Sequence, residues 1–595
     1  MNPEMLTSPR LRIGVLIFVV CLLYTILAIQ LWTMQVLRRD EYQDRSRMQS
    51  ARTIRIPPIR GRILARNGEP LADNRVSYDV KLHLAELRAR NHSETLIRIR
   101  SAISEICSRT GRENTFTDAM IERHMNYFPG IPMILFRDLS PAELAVLQET
   151  HPLITGLEIA AEPVRTYPHG TFAAHLLGYV KPGDAAKAGD RSSFFYYIPD
   201  PEGREGLEKY CNESLRGTAG RRLAMVNSTG FVHEYLEEEA AIHGKDVRLT
   251  LDFKAQQCAE RLLAGKVGAI VVLNANTGEI LAMASSPTYK PELFYPRISH
   301  EDYQALAQNP DQVFLNRASA GSYMPGSIIK PLTALAILKH GHSPDDIFEC
   351  TGRVPYGYRG AIKCMFNAVH GEINIYDALK RSCNGYFVTA GMQCGIHELS
   401  AMYASAGIGS PTGFELFERK GILPKHSPKW TDAETAYVAF GQGKVELTPL
   451  QAAVYAAAIG NGGTRWKPFL VKNIQTQGMN KEEPISVFDA VPESKGRLDV
   501  TPEQLAVVQE GMRQVVQEKG GSGRRAQNSK VTLSGKTGTA DVVTQKEKYK
   551  NAWFIGYGKD PGTGELYSIA VIIEKGESGG LTAAPVAGEF FEMWK

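Results

Sequence analysis

The sequence predicts an α+β protein with a single N-terminal transmembrane helix, a mixed membrane-proximal region, and a C-terminal domain in which helices flank a central antiparallel sheet. Three observations support this prediction. Residues 13–37 form an uncharged apolar run, helix and strand patterns mix between residues 38 and 245, and a clear β-hairpin with long helices and further strands follows from residue 246. A chain of 595 residues is long enough for several domains.

The apolar run Ile13–Leu37 is the predicted transmembrane helix. It contains no charged residue, and about 20 such residues span a bilayer. Arg10 and Arg12 precede it, and Trp32 near its far end suits a membrane interface. A cleaved signal peptide and a buried core helix are the alternatives, but the run is too long for a signal peptide and lacks a small-residue cleavage site. We expect residues 1–12 in the cytoplasm and the long remainder across the cytoplasmic membrane, because long domains are translocated largely regardless of charge.

The membrane-proximal region, residues 38–245, mixes helices and short strands. Its polar and basic start, residues 38–56, indicates a stalk. Asn67-Gly68 predicts a turn between two short strands. Residues 93–110 are predicted to form a helix.

The last region, residues 246–595, carries the clearest patterns. Its alternating apolar residues, turn signals and helix caps predict a hairpin, several helices and two closing strands. The predicted elements are the helix Phe253–Leu263, the hairpin Ala269–Leu273 with Ile280–Met283, a helix capped by Thr448 with Pro449 and Gln451, and the strands Ala552–Gly556 and Ser568–Ile573.

Charge and motif content exclude several classes of function. The net charge is only +4, so nothing favours nucleic acid as a partner. The sequence has no Walker loop, no G-x-G-x-x-G, and no evident Cys/His spacing of a zinc site. His340 and His342 are the nearest approach to a metal pair, and we interpret them as a solvated helix end. We therefore predict neither a metal nor a cofactor.

Ser327 and Lys330 are the first candidate catalytic pair. A serine hydroxyl is a weak nucleophile that needs a base within hydrogen-bond reach. Within a helix, a lysine three residues later lies on the same face. The apolar segment after Lys330 predicts a buried helix that ends near Gly341. The serine should then lie at the N-terminus of this helix, where the dipole and free N–H groups favour a developing oxyanion.

Two further motifs follow in order. Ser382 and Asn384 come after a short helical stretch, residues 373–380, and we expect both to project from the connecting loop. A hydroxyl there can relay a proton, and an amide can hold both lysine and substrate. The third motif, residues 531–539, is predicted to be an edge strand. It contains the cation Lys536, the hydroxyls Thr537 and Thr539 that suit a carboxylate, and Gly538, which leaves room for a substrate backbone.

The eight cysteines do not form a dense disulfide framework. Cys21 lies in the predicted membrane helix. Cys383 lies within the second motif and is expected as a free thiol near the site. Cys350 and Cys364 flank a short loop and are candidates for a disulfide in an oxidising compartment.

The three motifs, in this order, resemble those of penicillin-binding proteins and serine β-lactamases. Over nearly its whole length the chain resembles a class B penicillin-binding protein, a membrane-anchored peptidoglycan D,D-transpeptidase. Arg60-Gly61 with Arg66-Asn67-Gly68, Gly206-Leu207-Glu208, Leu215-Arg216-Gly217 and residues 277–283 carry this resemblance. Ala65 and the pair Ile328-Ile329 depart from the family pattern without changing the catalytic spacing. The resemblance implies an elongated, dimerisation-type pedestal domain over residues 38–245 and a penicillin-binding, serine-transpeptidase domain over residues 246–595.

The resemblance also implies a mechanism. Ser327 attacks the D-Ala-D-Ala carbonyl of a stem peptide, with neutral Lys330 as the base and Ser382 passing a proton to the departing D-Ala. Asn384 contacts the acyl-side amide, and the N–H groups of Ser327 and Thr539 form the oxyanion hole. Thr537 and Thr539 bind the terminal carboxylate, and Lys536 adds positive field. β-Lactams would trap Ser327.

Several alternatives stay open at this point. A β-lactamase would need a deacylating glutamate, a D,D-carboxypeptidase usually lacks the leading region, and a β-lactam sensor or scaffold would need a signalling domain for which a 12-residue tail has no room. Residues 574–580 and 583–585 resemble the elongation-type branch, penicillin-binding protein 2, more than the division type. That resemblance implies a SEDS-family, RodA-like glycosyltransferase and other elongation-complex proteins as partners.

Overall fold

The computed structural model describes residues 9–39, 51–127, 132–150, 154–183, 200–226, 232–356, 360–477, 483–543 and 547–595. It begins with the helix Pro9–Trp32, which continues through a π-helical turn, Thr33–Leu37. Within the described ranges, Ile13–Leu37 is the segment long and apolar enough to cross a membrane. Residues 1–8 of the predicted tail and 40–50 of the predicted stalk lie outside the described residues.

The membrane-proximal region contains two sheets. A three-stranded antiparallel sheet has Gly220–Val226 at its centre, between Ala51–Ile56 and Val232–Glu239. A seven-stranded sheet runs through both halves of the molecule, because Asp246–Leu249 pairs with Ile63–Leu64 on one side and with Val471–Gln475 on the other. Its strands are, in order, Ser486–Asp489, Val471–Gln475, Asp246–Leu249, Ile63–Leu64, Pro70–Leu82 and Met133–Phe136, with Leu157–Thr166 also paired to Pro70–Leu82.

The remaining elements of this region pack around the sheets. His92–Thr110 begins after the Asn91 cap, whose side chain accepts from the backbone of Glu94, and it ends at Gly111 in the left-handed conformation. The other elements are the short helices Leu84–Leu87, Asp118–Tyr127, Pro141–Thr150, Ala174–Leu177, Gly206–Tyr210 and Asn212–Leu215, and the paired strands Val180–Pro182 and Pro201–Gly203.

A buried ion cluster joins the two resemblance motifs of this region. The Glu208 carboxylate lies 2.7 Å from Arg60 Nε and 2.6 Å from Arg165 Nε, and all three side chains are buried. Burial opposes ionisation of Glu208, but Arg165 and Arg60 outweigh burial and lower the pKa of this carboxyl. The Tyr167 hydroxyl also donates to Glu208, at 3.3 Å. The motifs around Arg60 and Glu208 are therefore one structural unit.

The C-terminal domain is built on a five-stranded antiparallel sheet. Its strands are, in order, Ile280–Ser286, Gly268–Asn274, Leu566–Ile573, Lys548–Lys559 and Thr532–Val543. The third motif thus lies on an edge strand, as the sequence predicts. Alternate residues of Gly268–Asn274 enter different hydrophobic clusters: Val271 packs with the helix Pro449–Gly460, whereas Ile270 and Val272 pack with Phe253–Leu263 and Ala584–Trp594. The sheet is therefore covered by helices on both faces, and the predicted α+β architecture is confirmed.

This domain contains further helices, of which Gly326–Ile329, Pro502–Gln517 and Gly579–Ala583 pack against the edge strand Thr532–Val543. These further helices are Pro291–Phe294, His300–Ala307, Gly326–Ile329, Lys330–His340, Met365–Asn367, Ile375–Lys380, Asn384–Ser405, Asp432–Ala439, Pro502–Gln517, Arg524–Ala526 and Gly579–Ala583. Three small strand pairs complete the domain: Phe348–Cys350 with Gly371–Ile373, Arg353–Tyr356 with Gly360–Lys363, and Thr464–Trp466 with Ser494–Arg497. The predicted helix Phe253–Leu263, the hairpin and the capping box at Thr448 are confirmed.

Candidate active site

Ser327 lies on a 3₁₀ turn, Gly326–Ile329, that leads directly into the buried helix Lys330–His340. The helix ends at Gly341 in the left-handed conformation, as predicted. Two side chains from distant segments hold the backbone here. The Tyr455 hydroxyl donates to Ile328 O in the turn at 2.7 Å, and Trp553 Nε1 donates to Met324 O, just before the turn, at 3.1 Å. These contacts fix the backbone that carries the candidate nucleophile.

Close backbone contacts bring the third motif against this turn. A Cβ atom added to Gly326, whose φ is +54°, would lie 2.6 Å from Thr539 O and 3.1 Å from Thr539 N. One added to Gly538 would lie 3.0 Å from Ile328 N. Such distances require glycine at both positions. The backbone of Thr539 therefore lies next to Ser327, where the predicted oxyanion hole needs it.

Lys330 is fully buried and donates three hydrogen bonds to the second motif. Its Nζ lies 2.8 Å from Ser382 O, 3.2 Å from Ser382 Oγ and 2.7 Å from Asn384 Oδ1. Burial lowers the pKa of Lys330 to about 8. All three bonds go to the second motif rather than to Ser327. With a pKa of about 8, Lys330 is still mostly protonated at neutral pH, and it must release a proton before it can act as the base.

The second motif adopts a constrained conformation. Ser382 has a φ of +58°, in the left-handed region that is costly for a residue with a Cβ atom. Asn384 begins the helix Asn384–Ser405, which corrects our expectation that it lies in the loop; the Cys383 thiol caps this helix by accepting from Tyr386 N. The Asn384 amide also donates to Lys363 O at 2.8 Å. Its side chain thus connects Lys330 to the strand Gly360–Lys363.

Lys536 reaches the same hydroxyl as Lys330 from the opposite side. Its Nζ lies 2.9 Å from Ser382 Oγ and 3.0 Å from Thr537 O. Burial, and then the nearby charge of Lys330, lower the pKa of Lys536 far below its usual value. Two ammonium groups beside one hydroxyl repel each other, so burial and Lys330 both oppose the positive charge that the sequence predicts for Lys536. A bound carboxylate would favour return of the proton.

The hydroxyls of the third motif have partners that the sequence did not reveal. Thr537 Oγ1 lies 3.0 Å from Ser522 Oγ, and Gly579 N donates to Thr539 Oγ1 at 3.1 Å. Gln442 Nε2 donates weakly to Thr539 O at 3.4 Å. A clue in the sequence was the Gly-Ser-Gly run at residues 521–523, because a short side chain between two glycines allows close approach.

Four possible metal ligands meet directly behind the second motif. The Sγ atoms of Cys350, Cys364 and Cys383 lie 3.4 to 3.8 Å apart, and His370 Nδ1 lies 3.3 Å from Cys350 Sγ. The candidate disulfide between Cys350 and Cys364 is not formed, since both thiols are free. The hydrogen bond between Cys383 and Cys364 lowers the pKa of Cys364 and raises that of Cys383, so Cys364 is the thiol of this pair that loses its proton first.

The donor set of this cluster fits zinc. In a tetrahedral site with Zn–S bonds of about 2.3 Å, neighbouring sulfur atoms are about 3.8 Å apart. Four protein ligands would leave no position for substrate, which is typical of a structural site. The sequence did not predict this cluster, because the four residues are not spaced like a zinc motif. A second group, His340, Cys394 and Glu398, is mostly exposed, and His340 already pairs with Glu398 at 2.8 Å.

Comparison with known sequences identifies the architecture. The family described as "Penicillin binding protein transpeptidase domain" matches residues 268–592, and "Penicillin-binding Protein dimerisation domain" matches residues 55–249. The chain belongs to the penicillin-binding transpeptidase family. It is therefore a serine-type transpeptidase, and the predicted succession of apolar helix, dimerisation-type domain and transpeptidase domain is confirmed.

Individual relatives agree with this assignment. The peptidoglycan D,D-transpeptidase MrdA of Acinetobacter baumannii is 31% identical, with 98% of this chain and 87% of the relative covered. The Escherichia coli enzyme of the same name is 30% identical over 77% of this chain and 73% of its own.

The transpeptidase also resembles solved structures. A Helicobacter pylori complex of PBP2 and MreC has a TM-score of 0.75 and 25% identity over 91% of this chain and 98% of that one. Pseudomonas aeruginosa PBP2 in complex with WCK 5153 has a TM-score of 0.63 and 26% identity over 91% and 96%.

Proposed function

We propose that this transpeptidase crosslinks the stem peptides of peptidoglycan during cell-wall elongation, through an acyl-enzyme on Ser327. The observation that carries the proposal is the meeting of two lysine amines at one hydroxyl, Ser382 Oγ, beside the turn that carries Ser327. Such an arrangement can move protons without water. The names of the MrdA relatives support peptidoglycan as the substrate.

In the acylation step, Ser327 Oγ attacks the carbonyl of the penultimate D-Ala, and its proton passes to neutral Lys330. The backbone N–H groups of Ser327 and Thr539 stabilise the oxyanion, since the edge strand packs its Thr539 backbone against the turn that carries Ser327. As the peptide bond breaks, Ser382 donates a proton to the leaving D-Ala amine and recovers one from Lys330. Atoms and protons balance: one ester bond forms, one amide bond breaks and D-Ala leaves as the amine.

In the second step, an amine of another stem peptide attacks the ester. The new amide forms as the Ser327 ester bond breaks, and the amine proton returns to Ser327 through Lys330. β-Lactams would enter the same first step. Their ring-opened product keeps its leaving group attached, so the acyl-enzyme persists.

Recognition of the terminal carboxylate is assigned to the third motif. Thr537 and Thr539 supply hydroxyls on the edge strand of the sheet, and an edge strand can pair with an added peptide strand. We propose that the arriving carboxylate raises the pKa of Lys536 and draws a proton from Lys330 through Ser382. Lys330 would then become the neutral base when substrate is present. Asn384 is assigned to the acyl-side amide.

We propose that the four candidate zinc ligands have a structural role and stabilise the second motif. When bound, a zinc ion would cross-link the loop segments that carry Cys350, Cys364, His370 and Cys383. Cys383 stands between Ser382 and Asn384, so its fixation would hold both residues that contact Lys330.

The proposed organisation follows the sequence prediction. Residues 1–12 lie in the cytoplasm, 13–37 cross the inner membrane once, 38–245 form the pedestal and 246–595 form the catalytic domain outside the cytoplasm. The family matches over residues 55–249 and 268–592 support this division, although the first match extends four residues beyond residue 245. Protease added to spheroplasts should digest the large domain. Protection until lysis would contradict the orientation.

We also propose partners in the elongation complex. PBP2 of Helicobacter pylori forms a complex with MreC, and a peptidoglycan synthase complex that coordinates polymerisation and crosslinking resembles this chain with a TM-score of 0.73, 28% identity, and 98% coverage of both chains. A SEDS-family, RodA-like glycosyltransferase would contact the pedestal and the helix Ile13–Leu37. Depletion of the protein in a rod-shaped host should give round cells, whereas unseptated filaments would indicate a division enzyme.

The direct test of the activity uses purified full-length protein in detergent with uncrosslinked glycan strands. We expect crosslinked muropeptides and released D-Ala in equal amounts from the wild type, and neither from Ser327→Ala. Release of D-Ala without crosslinks under all acceptor conditions would indicate a carboxypeptidase.

A further inference from the structure

Ser522 contacts the carboxylate-binding motif from a loop 15 residues before Thr537 in the sequence. Its Oγ lies 3.0 Å from Thr537 Oγ1, a normal distance for a hydrogen bond between hydroxyls. Thr537 is buried, whereas Ser522 is half-buried. The contact therefore lies where the edge strand passes from the core to the surface.

The backbone of Ser522 is tied to the second motif. Its N–H donates to Lys380 O at 3.1 Å, and Lys380 is the last residue of the helix that leads into Ser382. The Lys380 side chain also reaches back, with its Nζ 2.7 Å from Glu518 Oε2. Ser522 thus connects the end of the second-motif helix to the hydroxyl of Thr537.

The glycines on either side allow this loop to lie very close to the core. A Cβ atom added to Gly521 would lie 2.3 Å from Val515 O, and one added to Gly523 would lie 3.0 Å from Val515 Cγ1 and 3.4 Å from the Thr537 methyl group. Ser522 is therefore the one side chain within residues 521–523, and its position is set by backbone contacts. The loop therefore lies close to Thr537 and contacts it through the hydroxyl of Ser522.

The hydroxyls of Ser522 and Thr537 can each donate one hydrogen bond. Ser522 and Thr537 together carry two hydroxyl protons, and in the free site the bond between them uses the Thr537 proton, which Thr537 Oγ1 donates to Ser522 Oγ. The Ser522 proton is not used in this bond. When a carboxylate binds, the Ser522 hydroxyl can donate to Thr537 Oγ1 instead, and the Thr537 proton can then turn to the carboxylate. Without the Ser522 hydroxyl, Thr537 would lose the partner that fixes its orientation.

We propose that Ser522 is a positioning residue of the carboxylate subsite: it orients the Thr537 hydroxyl toward the terminal carboxylate of the stem peptide. This inference rests on the proposed function, in which Thr537 binds that carboxylate. Ser522 acts through Thr537 and takes no part in the proton transfers at Ser327.

The test compares two reagents that differ only in the carboxylate: benzylpenicillin and its methyl ester. The second-order rate constant of acylation is measured for full-length wild type, Ser522→Ala, Ser522→Thr and Thr537→Val, with the melting temperature of each. Ser522→Ala should acylate about 10-fold more slowly with benzylpenicillin, as expected when a hydrogen bond to a charged group is weakened. Its rate with the ester should stay within about twofold of wild type, and Ser522→Thr should restore the rate with the free acid.

The double variant Ser522→Ala/Thr537→Val separates positioning from other roles. If Ser522 acts through Thr537, the double variant should discriminate between acid and ester as weakly as Thr537→Val alone, because the two losses are not additive. Additive losses would overturn the inference. Equal slowing of both reagents by Ser522→Ala, or no slowing of either, would also overturn it.

Thr537→Val distinguishes this inference from the function on which it rests. If Thr537→Val loses the preference for the free acid while Ser522→Ala keeps it, the subsite stands and the role of Ser522 is wrong. If Thr537→Val itself keeps the full preference, the assigned carboxylate subsite is wrong and the role of Ser522 falls with it.

Discussion

Lys330 contacts Ser382 through two oxygens, with its Nζ 2.8 Å from the carbonyl oxygen and 3.2 Å from the hydroxyl. A third bond joins it to Asn384 Oδ1 at 2.7 Å. Three acceptors match the three protons of an ammonium group. Without substrate, these three hydrogen bonds suit the protonated form of Lys330. Acylation then begins when Lys330 loses one of its protons.

Lys330→Ala should slow acylation of Ser327 by about 10²–10⁴-fold, because a general base typically contributes that much. Lys339→Ala is the matched control, since Lys339 lies on the same helix but is exposed and pairs with Asp499. Stopped-flow measurement with a fluorescent penicillin checks both variants. Similar rates for wild type and Lys330→Ala would contradict the assigned base.

The rate of acylation should depend on pH through Lys330. Burial lowers its pKa to about 8, and only the neutral amine accepts a proton. With an uncharged β-lactam ester, the rate should rise as pH increases from 6 to 9 and level off above the pKa. A rate that falls over this range would require a protonated lysine in acylation.

Ser382→Gly and Ser382→Ala separate the hydroxyl from the backbone strain. Both variants lose the hydroxyl between Lys330 and Lys536, so both should acylate about 10²-fold or more slowly. Only glycine relieves the φ of +58°, so Ser382→Gly should unfold at a higher temperature than Ser382→Ala, by about 1 kcal/mol of stability. Thermal unfolding gives that difference, and equal melting temperatures would mean that the conformation is not strained.

Glu208→Gln should destabilise the pedestal by about 3–5 kcal/mol, because Arg60 and Arg165 would keep their buried charges without a carboxylate. Glu213→Gln is the control, since Glu213 is 77% exposed where it pairs with Arg216. The pKa of Glu208 is lowered in the folded state. Its contribution should therefore be present above its ordinary pKa of 4.5 and lost as pH falls through the folded value. Chemical denaturation at pH 7 and below pH 4 checks both statements.

Purified protein should contain about one zinc ion per chain, measured by plasma mass spectrometry. Cys350→Ser and Cys364→Ser should reduce the zinc content and the melting temperature, and a chelator should do the same to the wild type. Cys258→Ser, at a buried thiol outside the cluster, should keep its zinc. A wild type with no zinc, unaffected by added zinc, would contradict the assignment.

The sequence predicts the three catalytic motifs well because each depends on residues only a few positions apart in the chain. Ser327 and Lys330 are one helical turn apart, and Lys536 lies within the edge strand Thr532–Val543 that the sequence pattern indicates. The hairpin at Gly268–Asn274 and the cap at Thr448 follow from side-chain periodicity and capping chemistry, which act within a few residues.

The sequence does not predict contacts between distant segments. Cys350, His370 and Cys383 meet only because two small strand pairs fold back against a helix start. Ser522 reaches Thr537 through the packing of a loop that lies before the edge strand. The ionisation of Lys536 depends on its burial beside a second lysine, which residue order does not reveal.

The most direct test of the account is to locate the covalent adduct. Full-length protein is labelled with a fluorescent penicillin, digested and mapped by peptide mass, beside Ser327→Ala. The account predicts one adduct, on Ser327 in the turn Gly326–Ile329, and no adduct on folded Ser327→Ala with an unchanged melting temperature. An adduct on any other serine, or persistent labelling of Ser327→Ala, would contradict it.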